Sequence, residues 1–312
     1  MGGGARIGVV MDPPATLAYA KDSTYALMEQ GVALGARFEV ITLDDLYLRG
    51  PRARARAHPA EVVGPPDHLR LGEAVDRDLA EYACVLMRKD PPFDTDYLVA
   101  TYCLDHAACP VINDPAALRA ANEKLAVLRF PEWTPQTLAT SSEERILAFV
   151  EEVGAAVVKP PVHMGGRGVF LLRPDDPNLR GLVEEATGGG RHYAVVQRYL
   201  PEVADGDKRV LLWDGEVVGV VNRVPPPGEL RGNLAAGAWP RPAELTGDER
   251  RLCAQVGPRL AADGLRLVGL DLIGGRLTEV NVTSPTGMRE VERLTGVSPA
   301  RTVMERLLAE LG

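Results

Sequence analysis

The sequence predicts an α/β domain built on a parallel sheet at the N-terminus, followed by a region of α+β type. An apolar strand, a helix and a second strand follow one another between residues 6 and 41, which is the pattern of a βαβ unit. In the second half, Asp214-Gly215 separates two strand-like runs, and this dipeptide is a strong signal for a two-residue hairpin turn. At 312 residues the chain exceeds one ordinary core, so two or three packed subdomains are expected.

Composition and charge argue against several functions. No apolar run approaches the roughly 20 residues that a membrane-spanning helix needs, and the first residues lack the architecture of a signal peptide. A formal net charge of −8 argues against general nucleic-acid binding, which requires clustered positive charge. The four cysteines have no zinc-ligand spacing and are expected to be free thiols. We therefore expect a cytoplasmic protein that binds neither nucleic acid nor membranes.

The first domain is expected to span residues 1–120. Its strands are predicted at 6–11, 38–41, 83–87 and 111–113, and its helices from Asp22 or Ser23 and over 96–106. Residues 48–72 are rich in Arg, Ala and Pro, show no periodicity and are predicted to form a surface loop. Arg88, Lys89 and Asp90 follow a buried strand, and ligands bind beyond the carboxyl ends of strands in an open parallel sheet. These residues could meet a small polar substrate, although a charged loop stiffened by two prolines explains them equally well.

The rest of the chain is expected to form two subdomains, residues 121–200 and 201–312. Their predicted strands lie at 137–140, 156–159, 194–200, 208–213 and 216–224, and their helices around 122–125, over 142–153 and 247–263, and from Met288 and Pro299. The segment 225–239 is rich in Pro and Gly. It is predicted to be a mobile flap, with disorder as the alternative.

A strand that ends in Lys159 leads into the glycine-containing turn PPVHMGGRG. Gly165 and Gly166 would let backbone N–H groups approach a polyphosphate, and Lys159 would add a positive charge. A Gly-Gly turn alone is weak evidence for a phosphate site. The preceding lysine and an acidic hairpin further along the chain strengthen it.

That hairpin, residues 269–286, places Asp271, Glu279 and Asn281 on two strands joined by a Gly-Gly pair. A strict two-residue turn pairs Asp271 with Thr278 and sends Glu279 to the opposite face. A three-residue turn or an equivalent β-bulge makes Asp271 face Glu279, with Asn281 on the same face. Two carboxylates and an amide oxygen then suit Mg²⁺. The alternative is a solvated acidic hairpin, but the interleaved β-forming apolar residues favour an element docked on a core.

Eight short motifs in order make the chain resemble the bacterial glutathione synthetases, which have the ATP-grasp fold. The motifs are GVVMDP (8–13), KDS (21–23), LYL (46–48), MRKDPPFDT (87–95), NEKL (122–125), GDKRVL (206–211), RGNLAAG (231–237) and LTEVNVTSPT (277–286). Their order and spacing make chance a poor explanation. The resemblance implies an enzyme that clamps ATP between two antiparallel sheets, next to an N-terminal parallel α/β domain.

The resemblance also implies roles for individual positions. The implied ATP ligands are Lys124, Lys159, Gly165 and Gly166 for the phosphates, Gln197, Arg198, Tyr199 and Leu200 for the adenine, and Asp207 for the ribose. The implied ligands of Mg²⁺, or of Mn²⁺ in its place, are Asp271, Glu279 and Asn281. Arg209, Arg231 and Asn233 would contact the transferred phosphate and substrate carboxylates, and Ser23, Arg88 and Arg289 would bind the peptide substrate.

The implied reaction joins γ-glutamylcysteine to glycine through an acyl phosphate, with ATP converted to ADP and phosphate. A homo-oligomer is implied as well. Val162 and His163 depart from the family's phosphate loop, and the flap after Gly237 looks shorter than usual. Two alternatives remain: an ATP-grasp ligase for another γ-glutamyl dipeptide or amino acid, and a nucleotide-binding protein that has lost catalysis.

Overall fold

The N-terminal part of the chain forms one sheet whose central strands are parallel. Its strands are β1 (Arg6–Val10), β2 (Arg37–Ile41), β3 (Leu46–Arg49), β4 (Arg52–Gly64), β5 (His68–Leu71), β6 (Val75–Asp78), β7 (Cys84–Met87) and β8 (Val111–Ile112). Its helices are α1 (Ser23–Ala33), α2 (Thr95–Leu104) and α3 (Pro115–Ala120). β1 pairs in parallel with β2 and with β7, and β7 pairs in parallel with β8. The predicted parallel α/β domain is therefore confirmed. The computed structural model describes residues 4–161, 168–226, 228 and 237–312 of the chain.

The prediction of a surface loop over residues 48–72 is wrong. β4 pairs antiparallel with β2, β3, β5 and β6, so it lies at the centre of an extension of the sheet. Along this strand Ala53, Ala55 and Ala57 are buried, while the arginines between them face outward, as the two-residue period of a strand requires. Arg54 pairs with Asp76 of β6 at 3.0 Å. Alanine is a poor β-former, so this alternation does not mark a strand in the sequence.

The middle part is a four-stranded antiparallel sheet covered by two helices. Its elements are β9 (Thr137–Thr140), α4 (Glu143–Val153), β10 (Ala156–Lys159), β11 (Phe170–Leu172), α5 (Leu179–Thr187) and β12 (Ala194–Arg198). The strand order is β11-β10-β12-β9. The helix predicted around 122–125 is instead a turn followed by a short 3₁₀ helix, Ala126–Arg129. Pro131, which has no N–H group, lies two residues after the end of this helix and disfavours a longer one.

The C-terminal part is a five-stranded antiparallel sheet with three helices. Its elements are β13 (Asp207–Trp213), β14 (Glu216–Val224), β15 (Trp239–Pro242), α6 (Gly247–Ala262), β16 (Leu267–Ile273), β17 (Arg276–Asn281), α7 (Met288–Thr295) and α8 (Pro299–Leu311). The strand order is β15-β14-β13-β16-β17. The two-residue turn at Asp214-Gly215 is confirmed, with φ of 48° and 80°. Most of the predicted flap, residues 227 and 229–236, lies outside the described residues.

A shared apolar core joins the first and last parts of the chain. Ile7 of β1 and Met28 of α1 belong to the same buried cluster as Trp213 of β13 and Met304 of α8. The loop after β17 lies beside the N-terminal sheet, since Arg88, which follows β7, donates to the backbone oxygen of Pro285. All four cysteines are free, as predicted. In the described part of the chain, no helix combines the length and the apolar character needed to cross a bilayer.

Candidate active site

The acidic hairpin β16–β17 has the bulged register that brings its polar side chains together. Its turn consists of two residues, Gly274 and Gly275, with φ of 54° and 73°. Beyond the turn Leu272 pairs with Leu277, but Asp271 pairs with Glu279, so Thr278 is an extra residue in β17. Asn281, two residues after Glu279, lies on the same face. The prediction of a bulge is confirmed, whereas its three-residue-turn variant is wrong.

Asp271 lies in a buried network with two arginines. Arg209 of β13 is its cross-strand neighbour and donates to both carboxylate oxygens, at 2.6 Å from Nε and 3.1 Å from Nη2. Arg223 of β14 contacts the same carboxylate at 3.0 Å. Burial alone would raise the pKa of Asp271, but the charges of Arg209 and Arg223 outweigh it and hold that pKa well below its usual range. Asp271 is therefore ionised at physiological pH.

Asp207 is the second carboxylate of this network. It is the cross-strand partner of Arg223, and the two side chains form an ion pair at 2.6 Å. Burial is the main cause that raises the pKa of Asp207 to about 6; the charge of Asp271 adds to it, while Arg223 acts in the opposite direction. Oδ1 of Asp207 is buried and has no hydrogen-bond partner among the described residues. A donor from a ligand could satisfy it.

Arg223 was not found from the sequence. A two-residue turn at 214–215 with regular pairing would place Asn222, not Arg223, opposite Asp207. A register shift between Leu211 and Leu212 moves Arg223 into that position. No sequence pattern in β13 or β14 predicts this register shift.

Lys159 connects the middle sheet to the acidic hairpin. Its Nζ donates to Oε1 of Gln197 at 2.9 Å and lies 3.8 Å from Oε1 of Glu279. Gln197 is buried, and its Nε2 has no hydrogen-bond partner among the described residues. A cationic side chain thus stands between the two antiparallel sheets, next to a predicted metal ligand. A polyphosphate bound there would meet both.

The strand end proposed for adenine is only partly free to bind it. Arg198 is exposed, and its side chain bonds to Gln136 at 3.3 Å. The backbone N–H groups of Arg198 and Tyr199 donate to Gln136 and Ala155. Leu200 begins the connection to β13. Adenine contacts in this segment would therefore have to use carbonyl groups or other backbone positions.

Lys124 is buried and sits in a segment that touches both sheets. Glu123 beside it accepts hydrogen bonds from residues that follow β17, and Asn122 donates to the backbone oxygen of Pro161 at 3.0 Å. A cavity of about 140 Å³ lies next to these side chains and is also lined by Thr283. The segment 122–124 therefore lies at the edge of the site formed by Lys159 and the acidic hairpin.

The three residues predicted to bind the peptide substrate lie at the interface between α1 and the residues that follow β17. The hydroxyl of Ser23 accepts from the backbone N of Met288 at 3.3 Å. Arg88 donates to Thr24 at 3.1 Å and to the backbone oxygen of Pro285 at 3.2 Å. Arg289 pairs with Glu29 at 2.5 Å. The partners of these three side chains thus belong to α1, α7 and the loop after β17, and are not Asp271, Glu279 or Asn281.

The remaining predicted positions lie outside the described residues. They are Gly165 and Gly166 in the phosphate turn, with Val162 and His163, and Arg231 and Asn233 in the flap.

Comparison with known proteins gives the same family over the whole chain. The model of the prokaryotic glutathione synthetase N-terminal domain matches residues 5–119, and that of the prokaryotic glutathione synthetase ATP-grasp domain matches residues 123–296. The glutathione synthetase of Thermosynechococcus vestitus is 42% identical over 316 residues, which cover 97% of this chain and 99% of that protein. The glutathione synthetase of Escherichia coli is 42% identical over 312 residues, which cover 98% of each.

Solved structures with low sequence identity share the fold. The D-cycloserine synthetase DcsG matches with a TM-score of 0.67 at 18% identity, over 98% of this chain and 100% of that chain. The ATP-grasp ligase PsnB, complexed with Mg and ADP, matches with a TM-score of 0.62 at 20% identity, over 98% of each chain. These likenesses confirm the predicted ATP-grasp fold. The two family models and the full-length relatives also confirm the resemblance found from the motifs, and the chain belongs to the prokaryotic glutathione synthetase family.

Proposed function

We propose that the acidic hairpin, Lys124 and Lys159 carry out the family's reaction, in which γ-glutamylcysteine is joined to glycine and ATP is converted to ADP and phosphate. Family membership over the full length assigns ATP-dependent glutathione synthesis to this chain. The observation that carries the site assignment is the bulge at Thr278, because it places Asp271 opposite Glu279 on the face that Lys159 approaches.

The donor atoms on this face fit Mg²⁺, which prefers oxygen ligands. Asp271 is ionised, and Nδ2 of Asn281 donates to the backbone oxygen of Gly269 at 3.2 Å, which leaves the amide oxygen for a cation. In the described ranges no cluster of three or more carboxylate, histidine or cysteine side chains forms. Asp271, Glu279 and Asn281 would therefore hold the metal together with water and ATP phosphates, and bound Mg²⁺ would neutralise phosphate charge. Mn²⁺ would fit the same donor set.

The protein's part in the chemistry is to position charged groups. A carboxylate is a poor electrophile, so the γ-phosphate first passes to the cysteinyl carboxylate and forms an acyl phosphate. The glycine amine then attacks the acyl carbon; a C–N bond forms, the C–O bond to phosphate breaks, and the amine loses a proton. No covalent enzyme nucleophile is needed. Lys124, Lys159 and Arg209 would orient the phosphates and stabilise their charge.

Several finer assignments belong to this proposal. Gly165 and Gly166 would complete the phosphate site, Gln197, Arg198, Tyr199 and Leu200 would contact adenine, and Asp207 would contact ribose. Arg231 and Asn233 would approach the transferred phosphate, and Ser23, Arg88 and Arg289 would shape the peptide site. We also propose domain borders at residues 120 and 200, a homo-oligomeric state and a cytoplasmic location. No nucleic-acid partner is proposed. Four free cysteines are typical of a reducing compartment.

The test is ADP release by the purified protein with γ-glutamylcysteine and glycine, combined with chromatographic detection of glutathione. We expect ADP and glutathione to appear in equal amounts only when Mg²⁺, both substrates and ATP are present. Turnover with another acceptor amino acid but not with glycine would contradict the assigned substrate, and ATP hydrolysis without peptide formation would contradict the ligase mechanism.

A further inference from the structure

Glu123 binds the segment that carries two of the proposed metal ligands. Its Oε1 accepts hydrogen bonds from the backbone N of Val282 at 3.0 Å, from the backbone N of Thr283 at 3.2 Å and from Oγ1 of Thr283 at 2.9 Å. Its backbone oxygen accepts a fourth from the N of Val280 at 2.9 Å. Asn281 therefore lies between two residues whose N–H groups are both held by Glu123.

Asn122 makes the corresponding contacts on the side of the phosphate turn. Its Nδ2 donates to the backbone oxygen of Pro161 at 3.0 Å, two residues after Lys159. Its Oδ1 accepts from the backbone N of Lys124 at 3.1 Å and of Leu125 at 3.2 Å. One side chain thus shapes the turn that presents Lys124 and binds the chain that leaves Lys159.

We propose that Asn122 and Glu123 are positioning residues of the ligase, which set the two phosphate-binding lysines at a fixed distance from the metal ligands. The inference rests on the proposed function of those lysines and of the hairpin. Three donors point at Oε1 of Glu123, an arrangement that favours the carboxylate form, and a charged acceptor makes stronger hydrogen bonds to backbone N–H groups than a neutral one. Glu123 is therefore suited to hold residues 282 and 283, the end of the hairpin. Residues that orient metal ligands typically change metal affinity about 10–100-fold when they are lost.

The first experiment compares Glu123→Gln with the unchanged enzyme by hydrogen exchange and by Mn²⁺ binding in the presence of a non-hydrolysable ATP analogue. The neutral side chain keeps the shape but weakens the contact. We expect exchange at the amides of Val282 and Thr283 to accelerate about tenfold, and Mn²⁺ affinity, measured by electron paramagnetic resonance, to fall about tenfold or more. The KM for γ-glutamylcysteine should change less than about twofold, since the described partners of Ser23, Arg88 and Arg289 do not include Glu123.

Glu39→Gln is the matched control because Glu39, like the half-buried Glu123, is a carboxylate that accepts several hydrogen bonds. It accepts from Tyr82 at 2.7 Å and from Arg77 at 3.1 Å in the N-terminal sheet, away from the hairpin. It should lower thermal stability without changing Mn²⁺ affinity. If both variants weaken Mn²⁺ binding equally, Glu123 has only a general structural role and the inference is overturned.

Two further variants keep the test decisive if Glu123→Gln does not fold. Thr283→Val removes one of the four donors and should weaken Mn²⁺ binding about threefold, while Asn122→Ala should raise the KM for ATP about tenfold with a smaller change in Mn²⁺ affinity. Unchanged values in both would overturn the inference. If the unchanged enzyme binds no Mn²⁺ with the nucleotide, the metal assignment of the proposed function fails; the exchange rates at Val282 and Thr283 then still decide whether Glu123 holds the hairpin end.

Discussion

Arg223 places one guanidinium between two buried carboxylates, and its removal tests the electrostatics of the site. Its Nη2 lies 2.6 Å from Oδ2 of Asp207 and 3.0 Å from Oδ2 of Asp271. In Arg223→Met the carboxylates lose this charge, while the unbranched side chain keeps most of the packing. Removal of one partner of a buried ion pair costs about 3–5 kcal/mol. We expect the free energy of unfolding at pH 8 to fall by that amount.

The size of this loss should depend on pH because of Asp207. Burial, supported by the charge of Asp271, raises the pKa of Asp207 to about 6 even with Arg223 present. Without Arg223 the pKa rises further, so the folded variant holds a proton above pH 6 that the unfolded chain has released. A state that binds more protons loses stability as the pH rises. The destabilisation relative to the unchanged protein should therefore grow from pH 6 to pH 8, by up to about 1.4 kcal/mol per pH unit.

Urea denaturation at pH 6, 7 and 8, followed by tryptophan fluorescence, measures this loss. Arg301→Met is the control, because Arg301 forms an exposed pair with Glu305 within α8 at 2.8 Å. Its loss should stay below about 1 kcal/mol at every pH. A destabilisation by Arg223→Met below about 1 kcal/mol, or one of equal size at pH 6 and pH 8, would refute the reasoning.

The remaining predictions concern the hairpin and its neighbours. Glu279→Gln should lower Mg²⁺-dependent turnover about 10²–10³-fold with unchanged thermal stability. The control Glu244→Gln changes an exposed carboxylate and should turn over normally. If Glu279→Gln also turned over at a near-normal rate, Glu279 would be excluded as a metal ligand. Lys159→Met should raise the KM for ATP about tenfold without affecting the KM for γ-glutamylcysteine, since it removes a charge beside the phosphates. Initial rates measured with each substrate varied give both KM values, and an equal increase in the two would contradict this role of Lys159. Gly275→Val should lower unfolding free energy by about 1–2 kcal/mol, because the residue has a φ of 73°. Gly275→Asn should cost less because asparagine tolerates this conformation, and equal melting temperatures for the two variants would contradict the turn assignment.

The sequence predicted elements whose signal is local. Apolar runs identified the central strands β1, β2 and β7, and the Asp214-Gly215 pair identified a hairpin turn. The error over residues 48–72 has a physical cause. β4 buries alanines, whose small side chains neither favour strands nor stand out as a core face, so the pairing partners rather than the residues themselves determine its structure. An isolated sequence holds little information about such partners.

Bulges also limit what can be predicted from the sequence, because one extra residue decides which face of a sheet a side chain occupies. In β16–β17 the facing of Asp271 and Glu279 could be predicted, since only a three-residue turn or a bulge gathers the polar side chains into the proposed cation site, and the observed pairing shows that the bulge does so. In β13–β14 the same kind of shift places Arg223 opposite Asp207. The residues do not indicate this shift, because a ribose contact accounts for Asp207 without a charged partner. A chemical requirement can therefore locate a bulge only where residues on both strands are predicted to act together. The partners within a buried charge network can be identified only when the strand pairing is known, as for Arg209, Arg223, Asp207 and Asp271.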